Sequence, residues 1–212
     1  MRFANRRQAG ERLGQAVADL EPPNPVVYAL PRGGVPVGFE VATTLGCPLD
    51  ILIVRKIGVP FQPELAMGAI AEGGQTVKNQ DVIEAAGVTE SGFEQVAAAE
   101  KRELSHRVAL FRGDVDQISP SGHTAVVVDD GLATGSTAMA AVSVLDQQGA
   151  DSVWLAVPVA PPSPLGRLEA MVERLVILHR PRGFGAVGTW YRDFTQTTND
   201  EVRALLSEAR LA

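Results

Sequence analysis

A single cysteine, Cys47, stands among 212 residues. One thiol excludes an internal disulfide framework and a cysteine-based zinc site, and suits a buried or half-buried packing role. The three histidines, His106, His123 and His179, are scattered without metal-ligand or triad spacing. Positive charge is scarce too. Lys and Arg number 19 against 25 Asp and Glu, a net charge of −6 with no long basic run. That argues against a general DNA- or RNA-binding role. The stretch Met1–Arg12 is charged and has no apolar run behind it, so the expectation is neither signal peptide nor membrane anchor, and a cytoplasmic protein. No internal repeat and no low-complexity tract is visible.

What the chain does have is apolar substance, with 45% hydrophobic residues. This suits one domain with an appendage, or at most two small domains, around a sizeable core. Phe3 to Leu20 has helical spacing, with Ala9, Leu13, Val17 and Leu20 on one face, and Pro22, Pro23 and Pro25 stop it. Val26–Leu30 reads as a strand, Gly34–Leu45 as a helix ended by Gly46, and Leu49–Val54 as a second buried strand. This alternation points to a parallel α/β sheet. From about 55 to 122 the rhythm breaks. Ala66–Ile70 and Gln75–Lys78 can pair around Glu72-Gly73-Gly74, and Ala97–Leu110 reads as a polar helix. Regularity returns with strands at Thr124, Val153–Val157 and Leu175–Leu178. Pro158, Pro161, Pro162 and Pro164 read as a rigid turn, Leu165–Val172 as a helix, and Asp200–Ala209 as a last helix.

Residues 126–138 carry the chemistry. Val126, Val127 and Val128 form a buried strand, Asp129 and Asp130 follow, Gly131 to Thr137 are small or hydroxylated, and Ala138 begins an apolar-periodic helix with Met139, Val142, Val144 and Leu145. Loop amides and the unsatisfied first turn of a helix bind anions, and Thr134, Ser136 and Thr137 add hydroxyl donors. The two carboxylates cannot hold phosphate. Sugar hydroxyls and Mg²⁺ are their natural partners beside one. Other phosphate loops fit worse: Gly131 and Gly135 enclose three residues with no Lys behind them, unlike a Walker loop, and no dinucleotide fingerprint is present. Ser136 is not in a nucleophile elbow, since Thr134 and Ala138 occupy the glycine places.

The segment resembles the phosphoribosyl-pyrophosphate (PRPP) binding motif of the type I phosphoribosyltransferases. The resemblance implies that Asp129 and Asp130 bind the ribose 2′- and 3′-hydroxyls and hold Mg²⁺ directly or through water, and that Gly131 and Ala133, Thr134, Gly135, Ser136 and Thr137 wrap the 5′-phosphate. The turn Pro31-Arg32-Gly33-Gly34 then resembles the family's pyrophosphate loop, with Arg32 as a phosphate grip. Arg55 and Lys56 resemble the basic pair of adenine-type members at a strand's C-terminal end. Their alternative role is a solvated pair. Ile57 to about Asn79 stands where relatives carry a flexible loop that closes over PRPP, and a hairpin there would give it order instead. Ala133 replaces the Asp that handles a base proton in hypoxanthine-guanine members, which leaves Glu64 as the candidate proton-handling group beside Asp129, Asp130 and Arg32 in the catalytic set.

The implied fold is a twisted parallel sheet of about five strands with helices on both faces and a small hood. One domain spans 1–212, with 55–122 as a flexible-loop insertion and 183–212 plus the N-terminal helix as the hood. Hood aromatics Trp190, Tyr191 and Phe194 are the candidates to stack on an acceptor, with Asp193 for hydrogen bonding. The same residues suit a satellite hydrophobic cluster equally well. The expected activity is Mg²⁺-dependent transfer of ribose 5-phosphate from PRPP to a nitrogen acceptor with release of pyrophosphate, in a homodimer. The alternative is a non-catalytic PRPP or nucleotide sensor. PRPP synthesis would need an ATP site and a duplicated domain.

Overall fold

A computed structural model of the chain describes residues 2–112, 115–163 and 165–211. Its first helix, α1 (Arg6–Ala18), is capped by Asn5, whose side chain accepts from the Gln8 amide at 3.0 Å. Strand β1 (Pro25–Ala29) leads into α2 (Gly34–Leu45), which ends at Gly46 in the left-handed region, φ 60°. The helices α1 and α2 pack closely because α1 turns Gly10 and Gly14 toward α2. A Cβ on Gly10 would stand 2.7 Å from the Val37 carbonyl oxygen.

The main sheet adds β2 (Leu49–Ile51), β6 (Thr124–Val128), β7 (Ser152–Val159) and β8 (Arg174–His179) to β1. Its order is β2-β1-β6-β7-β8 and every pairing is parallel. Side chains alternate between two cores. Val27, Ala29, Val126, Val128, Trp154 and Ala156 face one core, while Val26, Tyr28, Ala125, Val127, Val153 and Leu155 face the other. Helices cover both faces. The second core takes α5 (Ser136–Gln147) and the single turn α6 (Gly166–Glu169), and the first takes α2 and α7 (Asn199–Ala209). The expected helix over Leu165–Val172 is therefore only one turn. Of the expected proline turn, Pro158 lies inside β7 and Pro164 lies outside the described residues.

The run Leu49–Val54 is not one strand. Pairing to β1 ends at Ile51, and β3 (Val54–Val59) joins a second, antiparallel sheet with β4 (Gln62–Ala71) and β5 (Thr76–Lys78). All six residues of the run, Asp50 among them, are buried, so no alternation of exposure marks the place where the partner changes. The expected pairing within 66–78 is present as Gly68↔Lys78, Ala69↔Val77 and Ile70↔Thr76. It is closed by a turn in which Gly73 and Gly74 have φ 79° and 80°. Beyond it come α3 (Gln80–Ala85) and α4 (Glu90–Phe111), the latter capped by Thr89 and longer than Ala97–Leu110. A buried ion cluster ties this insertion to the main sheet. Arg112 donates to both Glu72 carboxylate oxygens at 2.6 Å, to Asp50 Oδ1 at 2.8 Å and to the Ile51 carbonyl at 2.6 Å. Among the described residues no helix is long and apolar enough to cross a membrane.

Candidate active site

Strands β1 and β6 are neighbours in register, Ala29 opposite Val128. The loops leaving their C-terminal ends therefore lie side by side, at the edge where open α/β sheets hold ligands. The contact between the loops is close. A Cβ on Gly33 would fall 2.1 Å from Asp130 Oδ2, and one on Gly34 would fall 2.7 Å from the Val128 carbonyl oxygen. Only glycine lets the Pro-Arg-Gly-Gly turn lie against the acids. The Pro31–Arg32 peptide is cis. Arg32 is half-buried and reaches Asn199 Oδ1 at 3.4 Å.

Both acids are held by the protein. Asp129 Oδ1 accepts from the Asp130 amide at 2.8 Å. Asp130 Oδ2 accepts from Arg6 Nε at 2.8 Å, and its carbonyl accepts from the Tyr191 hydroxyl at 2.6 Å. Burial, then the adjacent Asp130 charge, pushes the Asp129 carboxyl well above the usual carboxylate range. Burial raises Asp130 as well, and the Arg6 guanidinium draws it part of the way back. The loop is then anchored by the Leu132 amide on the Val159 carbonyl at 2.9 Å. Ala133, Thr134 and Thr137 are exposed, Gly135 has φ 75°, and the Thr134 and Ser136 hydroxyls lie 3.1 Å apart. Helix α5 begins with no acid in its first turn and no side-chain cap. The Ser136 amide donates to Thr134 Oγ1 at 3.4 Å, and the amides that follow it in the first turn are open to an anion.

A cavity of about 520 Å³ gathers Pro31 and Asp129 from the two loops and Thr137 from the first turn of α5 with Arg55 and Lys56 from β3 and Glu100 and Arg107 from α4. Arg55 and Lys56 do not follow a main-sheet strand, as expected, but sit within β3 opposite Ile70 and Ala69. Each is already ion-paired, Arg55 with Glu100 at 2.7 Å and Lys56 with Glu64 at 2.8 Å. The Glu64 side chain is 80% exposed on β4 and is not part of the wall of this cavity. The segment around it is the β3–β4 hairpin.

The C-terminal aromatics are occupied by protein. Trp190 donates to the Phe184 carbonyl at 2.8 Å and meets His179 edge-on at 5.0 Å. Tyr191 is buried against Phe3. The Phe194 ring carries the Arg6 guanidinium at 3.9 Å. Asp193 accepts from the Thr195 amide and hydroxyl at 3.0 and 2.7 Å. Three side chains at this site, Arg6, Glu100 and Arg107, have no marker in the sequence beyond membership of a polar helix face.

Adjacent carboxylates beside open helix-start amides would suit a hard cation that keeps most of its ligands as water and substrate oxygen. Among the described residues no three acid, His or Cys side chains cluster as a metal cage. Asp129 and Asp130 are the residues that fit Mg²⁺.

Residues 4–179 match the phosphoribosyl transferase domain family. The chain belongs to that family. Two Mycobacterium tuberculosis proteins, from strains CDC 1551 and H37Rv and provisionally named as phosphoribosyl transferases, are each 48% identical over 207 residues, covering 98% of this chain and 47% of theirs. The chain thus spans about half the length of these curated relatives. The crystal structure of TT1426 from Thermus thermophilus is 42% identical and superimposes with a TM-score of 0.90, covering 98% of this chain and 99% of that one.

Proposed function

We propose that the chain transfers ribose 5-phosphate from PRPP to a nitrogen acceptor, a nucleobase or a related ring, with release of pyrophosphate and with Mg²⁺ as cofactor. The observation that carries this reading is the meeting of the two glycines of 31–34 with Asp129 and Asp130, next to the uncapped start of α5. That arrangement offers diphosphate donors, hydroxyl acceptors and a monophosphate cradle within one cleft. Asp129 and Asp130 orient the ribose hydroxyls. Gly131 and the residues Ala133 to Thr137 hold the 5′-phosphate through amides and hydroxyls. As the bond to the leaving group breaks, negative charge grows on the diphosphate and positive charge on the ribose ring. Arg32, the Gly33 amide, Arg55 and Lys56 stabilise the former, and Arg107 joins them from the cavity wall, while the Gly34 amide is already given to the Leu30 carbonyl at 3.0 Å. Mg²⁺, when bound, neutralises further diphosphate charge. The work is positioning and electrostatics.

Glu64 is the group to test for proton handling at the acceptor, with Glu64→Gln expected to lower turnover and alter its pH profile. Full turnover across pH in that variant would remove the role. Replacing both acids (Asp129→Asn with Asp130→Asn) is expected to abolish PRPP use while leaving the thermal transition in place. Unchanged PRPP affinity would refute the site. A cytoplasmic homodimer belongs to the same proposal, and light scattering of the purified chain checks its assembly.

A second reading, a PRPP sensor without turnover, draws support from one set of contacts. Trp190, Tyr191, Asp193 and Phe194 all have their polar groups or ring faces engaged by the protein itself. Acceptor-dependent pyrophosphate release separates the two readings.

A further inference from the structure

Arg6 sits at the start of α1, 124 residues from Asp130 along the chain, and the PRPP motif gives it no part. We propose that Arg6 is a positioning residue for Asp130, holding one carboxylate oxygen so that the other is presented to the ribose, and that Phe194 backs Arg6 in place of stacking on an acceptor. The proposal rests on the reading of Asp130 as a ribose ligand.

Three contacts fix the guanidinium plane. Nε donates to Asp130 Oδ2 at 2.8 Å, one terminal nitrogen donates to the Thr195 carbonyl at 2.7 Å, and the guanidinium carbon lies 3.9 Å from the Phe194 ring centroid. Phe194 is itself supported by Tyr191 at 5.0 Å between ring centroids. The ion pair is largely removed from water, its side chains 11% and 15% exposed, so charge, hydrogen bonding and ring stacking act at greater strength than on an open surface. The backbone under the acid is held too, through the Tyr191 hydroxyl on its carbonyl at 2.6 Å. The result is an acid restrained by both ends of the chain, at the point where a Cβ on Gly33 would stand 2.1 Å from its Oδ2. A carboxylate so placed cannot turn away from the cleft without breaking a desolvated ion pair. Lysine would keep the charge and lose both the fork and the stack.

The test is a double-mutant cycle on PRPP affinity, measured by calorimetry with Mg²⁺ present. Melting temperatures are recorded for every variant. Arg6→Met is expected to weaken PRPP binding by roughly 10- to 100-fold in the parent chain and by less than about twofold in an Asp130→Asn background, the mark of coupled rather than independent residues. Arg6→Lys is expected to recover part of the affinity. Phe194→Leu is expected to lose several-fold and Phe194→Tyr little. Equal losses from Arg6→Met in both backgrounds would overturn the proposal, since Arg6 would then act without Asp130. So would a lowered melting temperature with unchanged affinity, which would make Arg6 a structural residue only. If Arg6→Met does not fold, Arg6→Lys runs through the same cycle, and the same two results support or overturn the proposal. An Asp130→Asn chain that binds PRPP as well as the parent would instead sink the ribose assignment, a failure that involves no Arg6 variant.

Discussion

Gly33 shows how narrowly single residues set this site. Its missing Cβ is the space that Asp130 Oδ2 occupies, 2.1 Å away, so Gly33→Ala must displace either the turn or the acid. We expect PRPP affinity to fall by about tenfold or more, equivalent to about 1.4 kcal/mol, in a chain that still melts cooperatively. Asp129 gives a prediction of opposite sign for stability. Its folded carboxyl is held well above its ordinary range by burial and by Asp130. Between the ordinary carboxylate range and that raised value, the folded state therefore binds more protons than the unfolded chain does. Stability from this group is present at low pH and lost as pH rises through the raised folded value. Asp129→Asn should accordingly raise the melting temperature at neutral pH without added divalent cation and flatten its decline with pH, while PRPP use is lost. A melting temperature below that of the parent would contradict this. Cys47 is half-buried with its thiol pushed up to about 11, so alkylation at neutral pH should be slow in the native chain and fast once it is unfolded. The acids, glycines and hydroxyl residues were legible in the sequence because they are contiguous, and a loop between a strand and a helix cannot separate them. Arg6 and Arg107 were not. Arg6 meets Asp130 across 124 residues, and only the order of strands and the path of the termini decide that meeting.

At the scale of elements, helices with marked ends were the readable ones. Gly34–Leu45 is bounded by a glycine turn and by Gly46, and the observed helix has the same limits. Buried strands read less well, as Leu49–Val54 shows. Where every residue is buried and only Asp50 is polar, no alternation marks the residue at which a strand leaves one sheet for another. That junction is held by the Arg112 cluster, which bonds Glu72 at the end of the hairpin sheet, Asp50 on β2 and the Ile51 carbonyl. Removing the cation would leave two buried carboxylates without their partner. Arg112→Met is therefore expected to cost about 3–5 kcal/mol in urea unfolding, and to loosen the insertion that carries Arg55, Lys56 and Arg107. A loss under about 1 kcal/mol would mean that the cluster is not what ties the insertion down.

For the molecule as a whole, the site is built where four separated stretches meet: the 31–34 turn, the 129–137 loop, the insertion and the paired termini. A ligand that touches all of them should stabilise the entire fold, by about 2.7 kcal/mol at a hundredfold excess over its Kd. The sequence resemblance reached the family, and the match over residues 4–179 agrees with it. The aromatics that suggested an acceptor site are spent on Phe184, Phe3 and Arg6. The most direct test of the central claim is pyrophosphate release from PRPP and Mg²⁺ against a panel of purine, pyrimidine and other nitrogen acceptors, with PRPP binding followed by calorimetry on the same preparation. The account predicts PRPP binding and pyrophosphate release that depends on one class of acceptor. A chain that fails to bind PRPP, or that binds it and releases no pyrophosphate with any acceptor, would contradict it.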